Sequence, residues 1–510
     1  MRGRSFACRL AAVVVVVAAM LSMTSSASAR GPSAAQKDAS TEISWRPCTE
    51  EEISDSAIAM DCASVAVPVD YEQPNGRTLS LFVSRHRSTA ANRIGPLFVN
   101  QGGPGMEAAI YANRFVATPG VERFDIIGMD PRGTGRSTHL KCRSDFRKVP
   151  EFAVNAEGEP TQRTEDGVAA FTRSCAEDPN HRFFGSNNAA RDMDRLRELL
   201  GADKITYFGK SYGSDLGTAY VSLFPDRVRA AVFDGATDLT LDMPEFIAQQ
   251  ARAAREAFDR YLQHCAEQTC AWTRGKDPQT AWDQLVRQLT DKPVKIPDSD
   301  DSLTAQGLRS YADGGSQASG FEEIDEALDA LVLRHDPSGL LSSPLDDESA
   351  AIGTAFLAVT CLDTPVNNFD AALRRLRTNF DDPSADHIGV LLLCSHWPKP
   401  ADPIKVRRAP DSARVAVVST RGDVPTPYES GVGLSRALGV PLLTWEANAS
   451  RLAQVGNMHT AYTFSPCVRQ LANRMLVDLE PLAIAGASCP YDFGVDIQTL
   501  TTPEPDPVRT

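Results

Sequence analysis

Gly209-Lys210-Ser211-Tyr212-Gly213 places a serine at the centre of a G-x-S-x-G pentapeptide, between the apolar run Ile205–Phe208 and the helix-forming run Leu216–Leu223. A strand that turns sharply into a helix crowds its neighbours. The positions two before and two after the serine must therefore be small, and the hydroxyl is left exposed at a helix N-terminus, where the dipole favours developing negative charge. Such pentapeptides also occur by chance in ordinary turns, so the serine needs partners. A serine hydroxyl is a weak nucleophile without a base, and in strand–turn–helix sites the chain order is serine, acid, histidine. Of the eight histidines, one, His459, lies after Asp423. Asp423 closes Thr420-Arg421-Gly422-Asp423, directly behind the apolar run Val415–Ser419, where ligand-facing loops of parallel sheets lie. His459 sits in the glycine-containing stretch Gly456-Asn457-Met458-His459-Thr460. Taken singly, Asp423 is an ordinary helix N-cap and His459 an ordinary loop histidine. Taken with the pentapeptide, their order makes His459 the general base and acid, and Asp423 the group that fixes its tautomer and stabilises the imidazolium. Asp411 and Glu429 are alternative acids at less suitable points.

Two further motifs follow strand-like runs. In Asn100-Gln101-Gly102-Gly103-Pro104-Gly105, three glycines let the backbone approach a substrate closely. The N–H of Gly103 (Gly102 is the less favoured choice) and that of Tyr212 would form an oxyanion hole, each donor contributing about 3 kcal/mol to the transition state. A plain tight loop would read the same. No phosphate-cradling pattern is present there. Asp130-Pro131-Arg132-Gly133-Thr134-Gly135-Arg136-Ser137 reads as a rigid turn with buried arginines that support this face, with direct substrate contact as the alternative.

The elements that must position these residues are visible as short apolar runs closed by Gly, Pro or Asn. Leu79–Ser84, Gly95–Asn100, Phe124–Met129, Lys204–Phe208 and Val228–Phe233 read as strands. Ala189–Leu200 reads as a helix with Met193, Leu196, Leu199 and Leu200 on one face, ended by Gly201. This alternation implies a mainly parallel sheet with helices on both faces. Over 241–400 the pattern turns helical, with runs at Phe246–His264, Thr280–Leu289, Phe321–Leu333 and Ala350–Thr360. Arg414–Ser419 and Val440–Trp445 then resume the sheet. The expected organisation is a core over 44–240, a helical insertion over 241–400, a second core part over 401–497 and a disordered tail over 498–510.

The 510-residue chain is 42% hydrophobic and 23% charged, with a net charge of −14. This charge argues against nucleic acid or an anionic membrane as a partner. Arg2, Arg4 and Arg9, the apolar stretch Leu10–Leu21 and Ala27-Ser28-Ala29 make residues 1–29 a secretory signal peptide, with a polar leader over 30–43. The apolar stretch falls short of the about 20 residues that span a bilayer. Cys8 leaves with the signal, so ten of the eleven cysteines remain. In an exported protein an even number suggests disulfides. Connectivity stays open. Near-neighbour pairing would give Cys48–Cys62, Cys142–Cys175, Cys265–Cys270, Cys361–Cys394 and Cys467–Cys489. The rival reading is a zinc site, but no two cysteines have C-x-x-C spacing. No metal or organic cofactor is implied.

The combination of Gly102–Gly105, Asp130–Ser137, Gly209–Gly213, Gly422-Asp423-Val424-Pro425-Thr426-Pro427 and the late His459 resembles the secreted actinobacterial tripeptidyl-aminopeptidase-like proteins, in the prolyl-aminopeptidase branch of the α/β-hydrolases. The resemblance covers nearly the whole mature chain, including Ala358-Val359-Thr360-Cys361-Leu362-Asp363. It implies an α/β-hydrolase fold with the helical insertion as a lid, Ser211 as nucleophile, Asp423 as acid and His459 as base. It also implies lid or loop carboxylates that hold a substrate's free α-amino group, for which Glu107, Glu322 and Glu323 are candidates; a solvated helix face accounts equally well for Glu322 and Glu323. The chain departs from the family at Lys210, where glycine is usual, and at Asn457. The implied activity is release of short peptides (tripeptides) from free N-termini through an acyl-enzyme. The alternatives are an esterase or amidase acting on small acyl substrates in envelope or natural-product metabolism, and an inactive binding protein. The implied partner is a peptide or small acyl substrate, and the oligomeric state is left open.

Overall fold

The computed structural model describes residues 42–53, 58–144, 146–149, 152–155, 157–296, 302–318, 321–340, 347–446, 459–483 and 486–490. The expected signal peptide and tail, and Asn457, lie outside them. Along the chain come β1 (Arg46–Pro47), α1 (Glu50–Ile53), β2 (Asp61–Pro68), β3 (Thr78–His86), β4 (Gly95–Asn100), α2 (Ala108–Phe115), β5 (Phe124–Met129), α3 (Gln162–Ala176), α4 (Ser186–Leu199), β6 (Ile205–Lys210), α5 (Tyr212–Leu223) and β7 (Val228–Asp234). Helices then take over: α6 (Met243–Gln268), α7 (Pro278–Asp291), the short hairpin β8 (Val294–Lys295) and β9 (Ser302–Leu303), α8 (Ala305–Ala318), α9 (Phe321–Arg334), α10 (Asp347–Asp363), α11 (Phe369–Asn379) and α12 (Ala385–His396). Finally β10 (Arg414–Thr420), α13 (Tyr428–Leu438), β11 (Leu442–Glu446), α14 (Pro466–Asp478) and β12 (Ala487–Pro490) complete the order.

Ten of these strands form one sheet in the order β1-β2-β3-β5-β4-β6-β7-β10-β11-β12. Pairing is antiparallel from β1 to β5 and parallel from β5 to β12. The central parallel strands β5, β6 and β10 are buried along almost their whole length, which is why they read as unbroken apolar runs. Their two faces feed two separate cores. Phe98 packs with Ile127, Tyr207, Phe233 and Val417 under helices α4, α5 and α13. Its neighbours Leu97 and Val99 pack on the other side with Phe208, Val232 and Val418 under α2 and α14. This is the period of two expected of a strand. Within the antiparallel edge, β1 and β2 went unread in the sequence. β2 (Asp-Cys-Ala-Ser-Val-Ala-Val-Pro) alternates small and polar residues and carries little hydrophobic contrast.

The segment between β7 and β10 is helical apart from the β8–β9 hairpin, and two further cores form around it. One joins α3, α10, α11 and α12 around Phe171, Leu357 and Leu391. The other gathers around Tyr261, Trp272, Phe321 and Leu328. All five disulfides link near neighbours: Cys48–Cys62, Cys142–Cys175, Cys265–Cys270, Cys361–Cys394 and Cys467–Cys489. Among the described residues no helix is long and apolar enough to cross a membrane.

Candidate active site

Ser211 occupies the single residue between β6 and α5, with φ 55° and ψ −129°. This conformation is sparsely populated for a side chain with a Cβ and is held by its surroundings. The glycines explain how the turn fits. A carbon added at Gly209 would stand 2.2 Å from the carbonyl oxygen of Gly213, and one added at Gly213 would stand 2.5 Å from that of Asn100. The Ser211 N–H donates to the carbonyl of Asp234 at 2.8 Å.

Asp423 lies in the loop after β10, fully buried, and His459 presents Nδ1 to its two carboxylate oxygens at 3.1 and 3.0 Å. The carboxylate also accepts from the Thr426 N–H at 3.0 Å and hydroxyl at 2.9 Å, and from the Thr460 N–H at 3.4 Å. The Thr426 hydroxyl is 3.3 Å from His459 Nδ1. Asp234, at the end of β7, ties this group to the serine. While its carbonyl holds the Ser211 N–H, its carboxylate accepts from the N–H groups of Ala461 and Tyr462, just beyond His459. Burial pushes the Asp234 carboxyl up to about 6, against those amide donors and the positive charge of Lys210. A carbon added at the next residue, Gly235, would stand 3.2 Å from His459 Cε1. The structure thus sets Asp423 against His459 and ties the chain just beyond His459 to the Ser211 backbone through Asp234. Thr426 and Asp234 escaped the sequence reading; the only trace of Thr426 was a hydroxyl residue three positions after Asp423, the spacing of a local side-chain turn.

The glycine loop after β4 lies directly over this turn. A carbon added at Gly102 (φ +110°) would be 2.7 Å from the Lys210 carbonyl, 2.8 Å from Ser211 Cβ and 3.1 Å from the Tyr212 nitrogen. The Gly102 N–H is already donated to Asn100 Oδ1 at 2.9 Å, which favours Gly103 as the loop's oxyanion donor. The Tyr212 N–H is the first of α5 and points out of its open end. The Tyr212 phenol turns inward to Ser186 Oγ at 2.7 Å, and Ser186 in turn bonds Asp363 at the end of α10. Burial pushes both Asp363 and the nearby Asp215 up to about 7. The start of α10 lies on the glycine loop, with the Ile352 carbonyl 2.8 Å from a carbon added at Gly105. The Lys210 ammonium stands 6.0 Å from the centre of the Tyr111 ring.

Of the two arginines in Asp130–Ser137, only Arg132 is buried. Its guanidinium forks onto Asp192 at 2.6 and 2.8 Å and caps the carbonyls of Pro68, Val69 and Phe183. Arg136 is a third exposed and reaches the Glu51 carbonyl instead, which corrects the expectation of two buried arginines. Glu107 precedes α2, half-buried beside Gly135. Burial and then the charge of Glu348 raise its carboxyl, opposed by Arg136 and His139. Glu322 and Glu323 stand exposed in the first turn of α9, whose buried face joins the separate core around Tyr261 and Trp272; the structure does not gather them with Ser211. A cavity of about 230 Å³ opens between the Asp130–Ser137 turn and α10, lined by residues including Gly133, His139, Leu140, Phe146, Ala351 and Thr354. Among the described residues, Cys265, Cys270 and Asp325 bring possible metal-ligand atoms within 4.8 Å of one another. Both sulfurs are joined in a disulfide, so neither offers a thiolate.

Residues 95–327 match the α/β hydrolase fold family, and residues 384–489 match the TAP-like proteins. Serine protease Hip1 of Mycobacterium tuberculosis is 30% identical over 485 residues, covering 85% of this chain and 88% of that protein. Carboxylesterase B of the same organism is 32% identical over 478 residues, with the same two coverages. A tripeptidyl aminopeptidase of Streptomyces coelicolor is 28% identical over 489 residues, covering 88% of this chain and 86% of that one.

Proposed function

The chain belongs to the TAP-like α/β-hydrolases, and from that premise we propose that this serine hydrolase is an exopeptidase releasing short peptides, tripeptides above all, from free N-termini, with Ser211, His459 and Asp423 as its triad. The observation that carries the assignment is the buried Asp423 carboxylate held against His459 Nδ1 at 3.0 Å, while Asp234 braces the Ser211 N–H and the chain beyond His459 together. In this reading His459 Nε2 takes the Ser211 proton as Oγ attacks the scissile carbonyl. The oxyanion is received by the N–H groups of Gly103 and Tyr212. Collapse of the tetrahedral intermediate passes the proton from His459 to the leaving amine and leaves the released peptide's carbonyl esterified to Ser211. Water, activated by His459, then hydrolyses that ester.

Glu107 is the proposed partner of the substrate's α-ammonium, in preference to the solvent-facing Glu322 and Glu323. A half-buried carboxyl already raised by burial and by Glu348 gains most from an incoming cation. The helical segment over 241–400 is the proposed lid. Five disulfides support folding in an oxidising compartment and, with residues 1–29, a secreted or envelope-associated protein. A second reading, hydrolysis of small acyl esters, is favoured by the likeness to a carboxylesterase at 32% identity.

The two readings part on paired substrates, Ala-Pro-Ala-aminomethylcoumarin with a free and with an acetylated N-terminus, given to wild type and Ser211→Ala. Turnover of the free form alone, abolished by the substitution, is the expected result. Equal rates on both forms would sink the N-terminal exopeptidase. Labelling of Ser211 by a fluorophosphonate with fast ester turnover and no peptide turnover would install the esterase.

A further inference from the structure

One helix of the inserted segment touches the surroundings of both expected oxyanion donors. At its start, α10 rests on the glycine loop through Ile352 and Gly105. At its end, Asp363 accepts the Ser186 N–H at 2.8 Å and the Ser186 hydroxyl. Ser186 opens α4, and the residue before it is Gly185, with no side chain to cap the helix. The inserted segment supplies the missing acceptor from outside. The Ser186 hydroxyl has one hydrogen. With that hydrogen committed to a carboxylate, its oxygen accepts from the Tyr212 phenol, 2.7 Å away. While Asp363 is ionised, the chain Tyr212 Oη–H to Ser186 Oγ–H to Asp363 has one direction, and Ser186 and Tyr212 are both buried.

We infer that α10 aims the oxyanion hole, with Asp363 as the positioning residue: through Ser186 it fixes the Tyr212 side chain, and with it the orientation of the peptide group between Ser211 and Tyr212. The inference rests on the reading of Ser211 as nucleophile and on no particular substrate. Ser211 at φ 55° leaves that peptide group in a conformation that needs external support. A tyrosine held at its ring oxygen as well as by its backbone supplies it. The Cys361–Cys394 disulfide, two residues before Asp363, anchors this end of α10 to α12. Seating of the inserted segment on the core and completion of the oxyanion hole are then one event.

The test uses p-nitrophenyl acetate, a substrate under either the peptidase or the esterase reading, with active sites counted by fluorophosphonate labelling. Tyr212→Phe, Asp363→Asn and the double variant are compared with wild type. Each single change should lower kcat per labelled site roughly ten- to hundredfold, with KM held within about twofold. The double variant should be no slower than the slower single, because both groups act through one chain of hydrogen bonds. Affinity for a peptide boronate, which forms the tetrahedral adduct, should fall in proportion to kcat. An unchanged kcat in Tyr212→Phe, losses that multiply in the double variant, or an effect carried by KM would each overturn the inference. Should Asp363→Asn fail to fold, Tyr212→Phe and Ser186→Ala, each of which deletes one hydroxyl and no charge, decide the matter. Wild type that neither hydrolyses the ester nor takes the label would instead refute the assignment of Ser211, and the inference with it.

Discussion

At the scale of single residues, what distinguishes this site is how many donors Asp423 satisfies at once. A buried carboxylate is tolerated only when its lone pairs are filled, and here Thr426 fills one with its N–H and another with its hydroxyl. Thr426→Val keeps the shape and deletes the hydroxyl, freeing the carboxylate to rotate away from His459. Its kcat should fall about tenfold at constant KM, and Thr426→Ser should restore most of it; a steady-state comparison of the three proteins decides. Asp130 shows the opposite situation. It is buried with two N–H donors, from Ala109 and Arg136, and burial nonetheless pushes it up to about 7, against about 3.9 in an unfolded chain. Between those values the native state binds more protons than the unfolded one. The contribution of this acid to stability is thus full below about pH 4 and is lost as pH rises through about 7. Asp130→Asn carries a constant penalty from its misplaced amide nitrogen but none of this slope. Relative to wild type it should gain up to about 4 kcal/mol between pH 4 and pH 8. Denaturant melts at the two pH values measure the difference, and parallel stability profiles would mean that Asp130 keeps its charge in the folded protein.

At the scale of elements, the site is made of loops pressed together, and the contact between the glycine loop and the β6–α5 turn leaves no room for a side chain. A methyl group at Gly102 would meet the Lys210 carbonyl and Ser211 Cβ at once, at a backbone angle unsuited to alanine. Gly102→Ala should therefore reduce kcat about a hundredfold and also lower the melting temperature, since the clash and the strained backbone angle burden only the folded state; turnover and thermal melts on the same sample check it. Elements of this kind were readable where hydrophobicity alone determines them. Gly95–Asn100 and Phe124–Met129 are covered on both faces, so their apolar runs begin and end with β4 and β5. Ser211 and Asp423 stand out in the sequence because each lies a few residues past such a run, and His459 because no other histidine comes late enough. What escaped depends on partners remote in the chain. β2 declares itself only by pairing with β3. The link between Ser186 and Asp363 spans 177 residues, and no local pattern encodes it. Glu322 and Glu323 illustrate the converse: acidic residues in the first turn of a helix satisfy its dipole wherever the helix lies.

At the scale of the whole molecule, the sheet ends in two very short strands, β1 with two residues and β12 with four. Covalent bonds secure both ends of the sheet: Cys48–Cys62 beside β1, and Cys467–Cys489 between α14 and β12. The second closes a loop of 22 residues, worth about 3 kcal/mol to the folded state. It also holds β12 over the outer side of β11, where Leu443 and Trp445 are buried. An open strand edge with apolar side chains is a template on which another chain can build. Opened by a reductant, β12 would peel away and leave the outer edge of the Leu442–Glu446 strand unpaired. On slow heating the reduced protein should then scatter light before its core unfolds, while the oxidised protein stays clear up to its melting temperature. The bond that looks like a staple for a terminal strand acts in this sense as a solubility device, keeping the molecule from adding copies of itself edge to edge.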